Sequence, residues 1–256
     1  MKIVTLMTDF GLEDPYVGIM KGVILRINPD VRFVDITHAI PPQDIREAAF
    51  VVNEYYPYFS EEAVHVVVVD PTVGSERRPL ILSKNGQFFV GPDNGVFSHL
   101  IRGNGEIREI TNRDFMLRDI SSTFHGRDIF APAAAYLAAG VQPSTLGPVA
   151  KNPVYLADIF PEVVNGLLKG KVARLDRFGN AITNIDVGTF KDFIGGRLFR
   201  IRVGDAIFTF LNQAYYEQDF TCLIGSSGYI EFGYYRGSFA SEKGVGRGQV
   251  VQVELV

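Results

Sequence analysis

Cysteine is almost missing from this chain: Cys222 is the only one in 256 residues. A lone thiol cannot close an internal disulfide, so a stapled secreted scaffold is excluded and a reducing compartment is expected. Long apolar runs are missing as well. The valines at 66–69 are typical of what there is, far too short to cross a bilayer. The opening residues, MKIVTLMTDF, have no apolar stretch followed by a small-residue cleavage site. These absences point to a cytoplasmic protein with no membrane partner. Charge of one sign does not accumulate either. With 25 basic residues against 29 acidic ones, a net charge of −4 and no Lys/Arg block, a nucleic-acid partner has little electrostatic support. There is no CxxC pair, no HxxxH spacing, no internal repeat and no low-complexity segment. A metal-dependent mechanism therefore gets little help, and no cofactor is expected.

What is present is the balance of an ordinary globular protein, 46% apolar and 21% charged. The first half alternates strand and helix signals. An apolar run at 3–7 ends in Thr8-Asp9-Phe10-Gly11, and a helix pattern over 16–27 is stopped by Asn28-Pro29. A strand signal follows at 31–36. Asp44 with Glu47 has the spacing of a capping box, leading into Ile45, Ala48, Ala49 and Val52 at helical spacing. The run at 64–69, broken only by His65, is polar on neither face and suits a central strand covered on both sides. This βαβαβ order predicts a parallel sheet with right-handed crossovers. Further strands are expected at 80–83 and 87–90, and a helix at 128–139 ending at Gly140.

Beyond Pro161 helix signals fade and short β-like runs appear at 171–175, 181–185, 198–203, 206–211, 229–232 and 250–255. The expected division is therefore an N-terminal α/β domain, 1–160, with a largely parallel central sheet, and a smaller antiparallel, barrel-like β domain, 161–256.

Ligands of open α/β sheets collect beyond the carboxyl ends of the strands. Asp9 and Asp14 follow the first strand, His38 the second and Asp70 the third. One carboxylate offers two oxygens to a ribose diol, which suits Asp9, although a turn Asp that binds its own backbone has the same sequence. Asp14, before Pro15, equally fits an N-cap. Asp70 begins a tight turn with Arg77 seven residues on, which as a surface pair would contribute under about 1 kcal/mol. His125, in Phe124-His125-Gly126-Arg127-Asp128, precedes the expected helix and sits near its positive end. Two look-alikes are set aside. Asp9-Phe10-Gly11 spells the kinase DFG with no room for a preceding lobe, and the glycines at 244–248 open no helix.

Several ordered segments together resemble the S-adenosylmethionine hydroxide adenosyltransferase family, hydrolase relatives of fluorinating and chlorinating enzymes. They are Thr8 to Gly11, Asp35 to Pro41, Asp70 to Arg78, Gly91-Pro92-Asp93-Asn94-Gly95, and Phe124 to Asp128. Asp176-Arg177-Phe178-Gly179-Asn180 and Ser226-Ser227-Gly228-Tyr229 follow in the second half. The resemblance implies a homotrimer, with active sites between the N-terminal domain of one subunit and the C-terminal domain of the next. It implies that Asp9 holds the ribose hydroxyls. It puts Asp14, Asp176 and Ser227 on the methionine part, and Phe178 and Asn180 around the nucleoside. The water-activating acid, arginine and histidine fall on Asp70, Arg77 and His125.

Within that family the halogenating enzymes carry Tyr where this chain has Asp70, and again where it has His125. A halide must shed its water to attack, and an anionic carboxylate would repel it yet welcome a water proton. The resemblance thus favours hydrolysis of S-adenosyl-L-methionine to adenosine and methionine over 5′-halogenation or simple adenosine binding. The chain departs from the family at Tyr234-Tyr235, where many relatives have a small residue and Asn. Tyr215 and Tyr216 are both candidates to stack on the base.

Overall fold

The structure is a computed structural model and describes residues 2–256. The chain divides between Leu156 and Ala157 into two compact units.

The first unit is built on a six-stranded sheet. Its strands are β1 (Lys2–Thr8), β2 (Val31–Thr37), β3 (Val64–Val68), β4 (Pro79–Lys84), β5 (Gln87–Pro92) and β6 (Glu106–Glu109). They run in the order β2-β1-β3-β5-β4-β6. β1 pairs in parallel with β2 and β3, and β3 with β5, so the βαβαβ expectation holds for this core. The sequence pattern did not reveal that β4 and β5 form an antiparallel hairpin, with β6 antiparallel at the edge. A hairpin turn at Asn85-Gly86, both with positive φ, reverses the chain there.

Side-chain alternation decides what covers each face. Val4, Leu6, Val64, Val66 and Val68 pack with Met20 and Ile24 of α1 (Tyr16–Ile27) and with the alanines of α3 (Ala131–Ala138). Met7, Val67 and Val69 face the other way, onto Ala48 and Val52 of α2 (Ile45–Tyr55). Both faces of β3 are buried, as its unbroken apolar run requires. Asp44 caps α2 by accepting from Glu47 N–H at 2.8 Å. Asp14 does not cap α1: the residue before that helix is Pro15, with no side-chain cap. The helix expected at 128–139 is shorter, because Gly126–Phe130 forms a π-helical turn and only then does α3 begin. A short α4 (Pro143–Leu146) closes the unit.

The second unit is an eight-stranded antiparallel, barrel-like sheet. Its strands are β7 (Glu162–Val164), β8 (Leu167–Leu175), β9 (Ala181–Asp186), β10 (Phe199–Val203), β11 (Ala206–Phe208), β12 (Phe220–Ile224), β13 (Tyr229–Tyr234) and β14 (Val250–Leu255). The order is β11-β10-β14-β8-β9-β13-β12, with β7 beside β8. Its core is Leu168, Val172, Ile201, Phe232, Phe239 and Val253 with their neighbours. Two helices were not expected here. α5 (Val187–Ile194) is capped by Asp186, whose carboxylate accepts from Thr189 N–H at 2.9 Å, and it ends on left-handed Gly195. α6 (Phe239–Lys243) is capped by Ser238 and ended by Gly244. Both are too short for periodicity to distinguish them from turns, and only their caps announce them.

Candidate active site

The parallel strands β2, β1 and β3 lie side by side, so the residues just past their carboxyl ends share one edge of the sheet. Past β1, Thr8 Oγ1 meets His38 Nδ1 at 2.8 Å and also accepts from Phe10 N–H at 3.2 Å. His38 Nε2 reaches Asp35 Oδ1 at 3.0 Å, and Lys21 Nζ donates to the other oxygen at 2.6 Å. Burial works to raise the Asp35 carboxyl, but the bonds from Lys21 and His38 outweigh it and hold it below its ordinary value. Gly11 N–H donates to the His38 carbonyl at 2.8 Å. This web holds the loop that carries Asp9. One Asp9 oxygen accepts from Gln43 N–H at 2.8 Å, so Asp9 bridges to another loop and does not close a turn on itself. Asp14 is exposed.

Past β3 the charged side chains are buried. Asn94 Nδ2 donates to the Val69 carbonyl at 2.8 Å, which fixes the strand end just before Asp70. Arg77 Nε donates to both Asp70 oxygens, at 3.0 and 2.9 Å, and its Nη2 also bonds Oδ2. The two side chains are only 6% and 4% exposed, so this is a buried ion pair and not the surface pair that spacing alone allows. The same Nη2 lies 2.8 Å from His125 Nδ1. A guanidinium only donates, so Nδ1 accepts and the neutral ring carries its proton on Nε2. Burial, and next the Arg77 charge, hold the His125 imidazolium below its ordinary pKa. Phe130 lies under the guanidinium, 5.2 Å from Arg77 Cζ to the ring centroid. Arg77 Nη1 is buried with no hydrogen-bond partner among the described residues. A buried guanidinium N–H without an acceptor is costly, and the economical occupant of that position is a polar atom of a ligand or a water.

The 70–77 turn closes against the segment bearing His125. Gly74 has φ +80°, and a Cβ there would fall 2.2 Å from the Ser122 carbonyl oxygen. No side chain but glycine's allows this approach.

In the second unit Asp176 organises its own turn. Its Oδ1 accepts from Phe178 N–H at 2.9 Å and Asn180 N–H at 2.8 Å, and its Oδ2 from Asn180 Nδ2 at 2.9 Å. Phe178 is 76% exposed at the tip. Ser227 is half-buried in the turn between β12 and β13. Tyr215 belongs to the Asp176–Asn180 group: its ring lies over Gly233 close to where Asn180 Oδ1 sits, and its hydroxyl donates to Glu231 Oε1 at 2.6 Å. Burial, the Glu231 bond and the nearby carboxylates push the Tyr215 hydroxyl above its ordinary pKa. Tyr216 is exposed, Tyr234 stacks on Phe220, and Tyr235 lies under Arg236. Glu231, the single carboxylate in the apolar strand β13, is a partner that the sequence pattern does not single out except by its place in that strand. Among the described residues no group of three or more His, Cys, Asp or Glu side chains is placed to hold a metal ion.

The match to known proteins covers both units. The SAM hydroxide adenosyltransferase N-terminal domain matches residues 4–147 and the corresponding C-terminal domain matches residues 170–252. The chain belongs to the S-adenosylmethionine hydroxide adenosyltransferase family. A Thermus thermophilus relative named (R)-S-adenosyl-L-methionine hydrolase is 37% identical, over 99% of this chain and all of its own. One of the same name from Methanocaldococcus jannaschii is 39% identical over 90% of this chain and 88% of its own. A solved structure of an uncharacterized conserved protein from Thermotoga maritima superposes with a TM-score of 0.90 at 36% identity, covering 98% of this chain and 99% of that one. Proteins named fluorinase are more distant, at 27% identity over 72% of this chain for that of Actinoplanes.

Proposed function

We propose that this member of the S-adenosylmethionine hydroxide adenosyltransferase family hydrolyses S-adenosyl-L-methionine to adenosine and L-methionine. The observation that carries the reading is the buried Asp70–Arg77–His125 cluster with one guanidinium nitrogen, Nη1, left to meet a ligand. The full-length relatives named (R)-S-adenosyl-L-methionine hydrolase support it, and with it a preference for the R sulfonium epimer.

The reaction is an in-line displacement at the ribose C5′. A water oxygen bonds to C5′ as the C5′–S bond breaks, and the bonding pair leaves with sulfur. The leaving group is a neutral thioether, so no acid has to protonate it and no cofactor is required. What the step needs is a water held in line and relieved of a proton. Asp70 has lone pairs beyond those facing Arg77 and accepts that proton. Arg77 Nη1 donates to the oxygen as it gains hydroxide character. His125, its Nδ1 engaged by Arg77, keeps the guanidinium fork from turning. The substrate's positive charge vanishes in the reaction, so a dry site favours the transition state over the sulfonium ground state.

The remaining assignments follow the family resemblance. Asp9 takes the ribose hydroxyls, Asp14, Asp176 and Ser227 the methionine part, and Phe178 with Asn180 the nucleoside. The protein is proposed to be a cytoplasmic homotrimer whose sites combine residues of adjacent subunits.

The test is incubation with S-adenosylmethionine in ¹⁸O-water containing chloride or fluoride. Adenosine labelled at its 5′-hydroxyl is expected. A 5′-halo-adenosine would instead make the chain a halogenase, and tight retention of substrate without turnover would make it a binding protein.

A further inference from the structure

Asp128 has no assigned part in the chemistry, yet its carboxylate is fully buried three residues from His125. Its Oδ2 accepts from Ser121 N–H at 2.8 Å and from Ser121 Oγ at 2.9 Å. Ser121 Oγ in turn accepts from Phe124 N–H at 3.1 Å. The Phe124 carbonyl takes the N–H groups of Arg127 and of Asp128 itself, both at 3.1 Å. The segment 121–128 is thus a closed ring of hydrogen bonds with the Asp128 carboxylate as its hub and His125 on its rim. Arg127 partners the hub from outside, Nε to Oδ1 at 2.5 Å. Burial works to raise the Asp128 carboxyl, and the bonds from Arg127 and Ser121 outweigh it, so the hub stays ionised.

This ring touches the other half of the site directly, since the Ser122 carbonyl fills the space a side chain would need at Gly74. Moving Ser121 and Ser122 therefore moves both the turn that carries Asp70 and Arg77 and the imidazole that meets Arg77.

We propose that Asp128 is a positioning residue for the hydrolysis: by pinning Ser121 it locks the 121–125 turn against the 70–77 turn and so holds His125 Nδ1 on Arg77. The proposal rests on the hydrolysis reading for its kinetic arm only. Its chemistry is specific. A buried carboxylate takes two donors from one serine, and an asparagine in its place still offers one oxygen to them, whereas an alanine offers none.

The experiment compares wild type with Asp128→Asn and Asp128→Ala, by steady-state kinetics and by ¹⁵N spectroscopy of the histidine rings. In Asp128→Ala kcat is expected to fall roughly 10- to 100-fold with KM within about twofold, the loss that a misplaced reacting group produces. Asp128→Asn should recover part of it. In wild type, His125 Nδ1 should show the signature of an unprotonated, hydrogen-bonded nitrogen, and in Asp128→Ala the averaged signature of exchanging tautomers. An Asp128→Ala protein that melts like wild type, with unchanged kcat and an unchanged His125 signature, would overturn the proposal. If that variant does not fold, Ser121→Ala removes only the hydroxyl bonds and is read by the same two criteria. A wild-type chain that does not hydrolyse S-adenosylmethionine would remove the function reading, and the nitrogen signature would still decide the positioning.

Discussion

Asp70 and Arg77 lie seven residues apart and, judged by spacing, resemble any ion pair across a surface turn. Their side-chain exposures of 4% and 6% change the energetics. An exposed pair contributes about 0–1 kcal/mol, whereas removing one partner of a buried pair costs about 3–5 kcal/mol because a desolvated charge is left behind. The site therefore holds its charges by geometry and cannot lose one cheaply. Asp70→Asn keeps an oxygen facing the guanidinium but cannot take the water's proton. It is expected to lower kcat on the order of 10²- to 10⁴-fold, the usual worth of a positioned base. S-adenosylmethionine binding should be largely kept. Turnover and calorimetric titration of the variant check both halves, and unchanged turnover would remove Asp70 from the mechanism.

The central strands are tied together by a buried polar thread. Thr5 of β1 meets His65 Nδ1 of β3 at 2.9 Å, and His65 Nε2 meets Gln87 Oε1 of β5 at 2.7 Å. Gln87 Nε2 donates to the Phe59 carbonyl at 2.9 Å. That leaves its oxygen for His65, whose Nε2 must donate and whose Nδ1 must accept. Burial lowers the His65 pKa to about 4. The unfolded chain binds this proton first, near pH 6.5, so the group's contribution is fully present above that pH and is lost as pH falls toward 4. Urea unfolding is expected to show about 2–3 kcal/mol less stability at pH 4.5 than at pH 7 from this group. The His65 ring resonances should stay those of a neutral imidazole through most of that range. A His65 that titrates near 6.5 would contradict the assignment.

At the scale of the whole molecule, the residues proposed to meet the substrate fall on both units: Asp9, Asp70, Arg77 and His125 on the first, and Asp176, Phe178, Asn180 and Ser227 on the second. A substrate that needs both sets requires units from one chain or from neighbouring chains. The proposed homotrimer uses neighbours. Light scattering is expected to give three times the chain mass of 28.4 kDa, and mixing an Asp70→Ala chain with an Asp176→Ala chain should restore turnover in mixed assemblies. A monomer with full activity would rule out shared sites.

Much of this protein is set by the sequence alone. The apolar run of β3, the helical spacing of α1 and α2 and the cap at Asp44 follow from local periodicity and capping chemistry, and the structure repeats them nearly residue for residue. The sheet edge where Asp9, His38 and Asp70 gather follows from strand order by the same reasoning. The short helices α5 and α6 were not visible, because one or two turns carry no period, and β12 was hidden among turn residues. The tertiary structure decided the rest. Folding turned Asp70 and Arg77 from a surface pair into a buried one. Packing of two distant turns, through Gly74 and Ser122, brought His125 onto Arg77. A buried carboxylate at Asp128 became a hub only when Ser121 folded back onto it. Local sequence determines elements because their hydrogen bonds are short-range, whereas desolvation and close approach depend on which segments meet, and only the folded chain settles that.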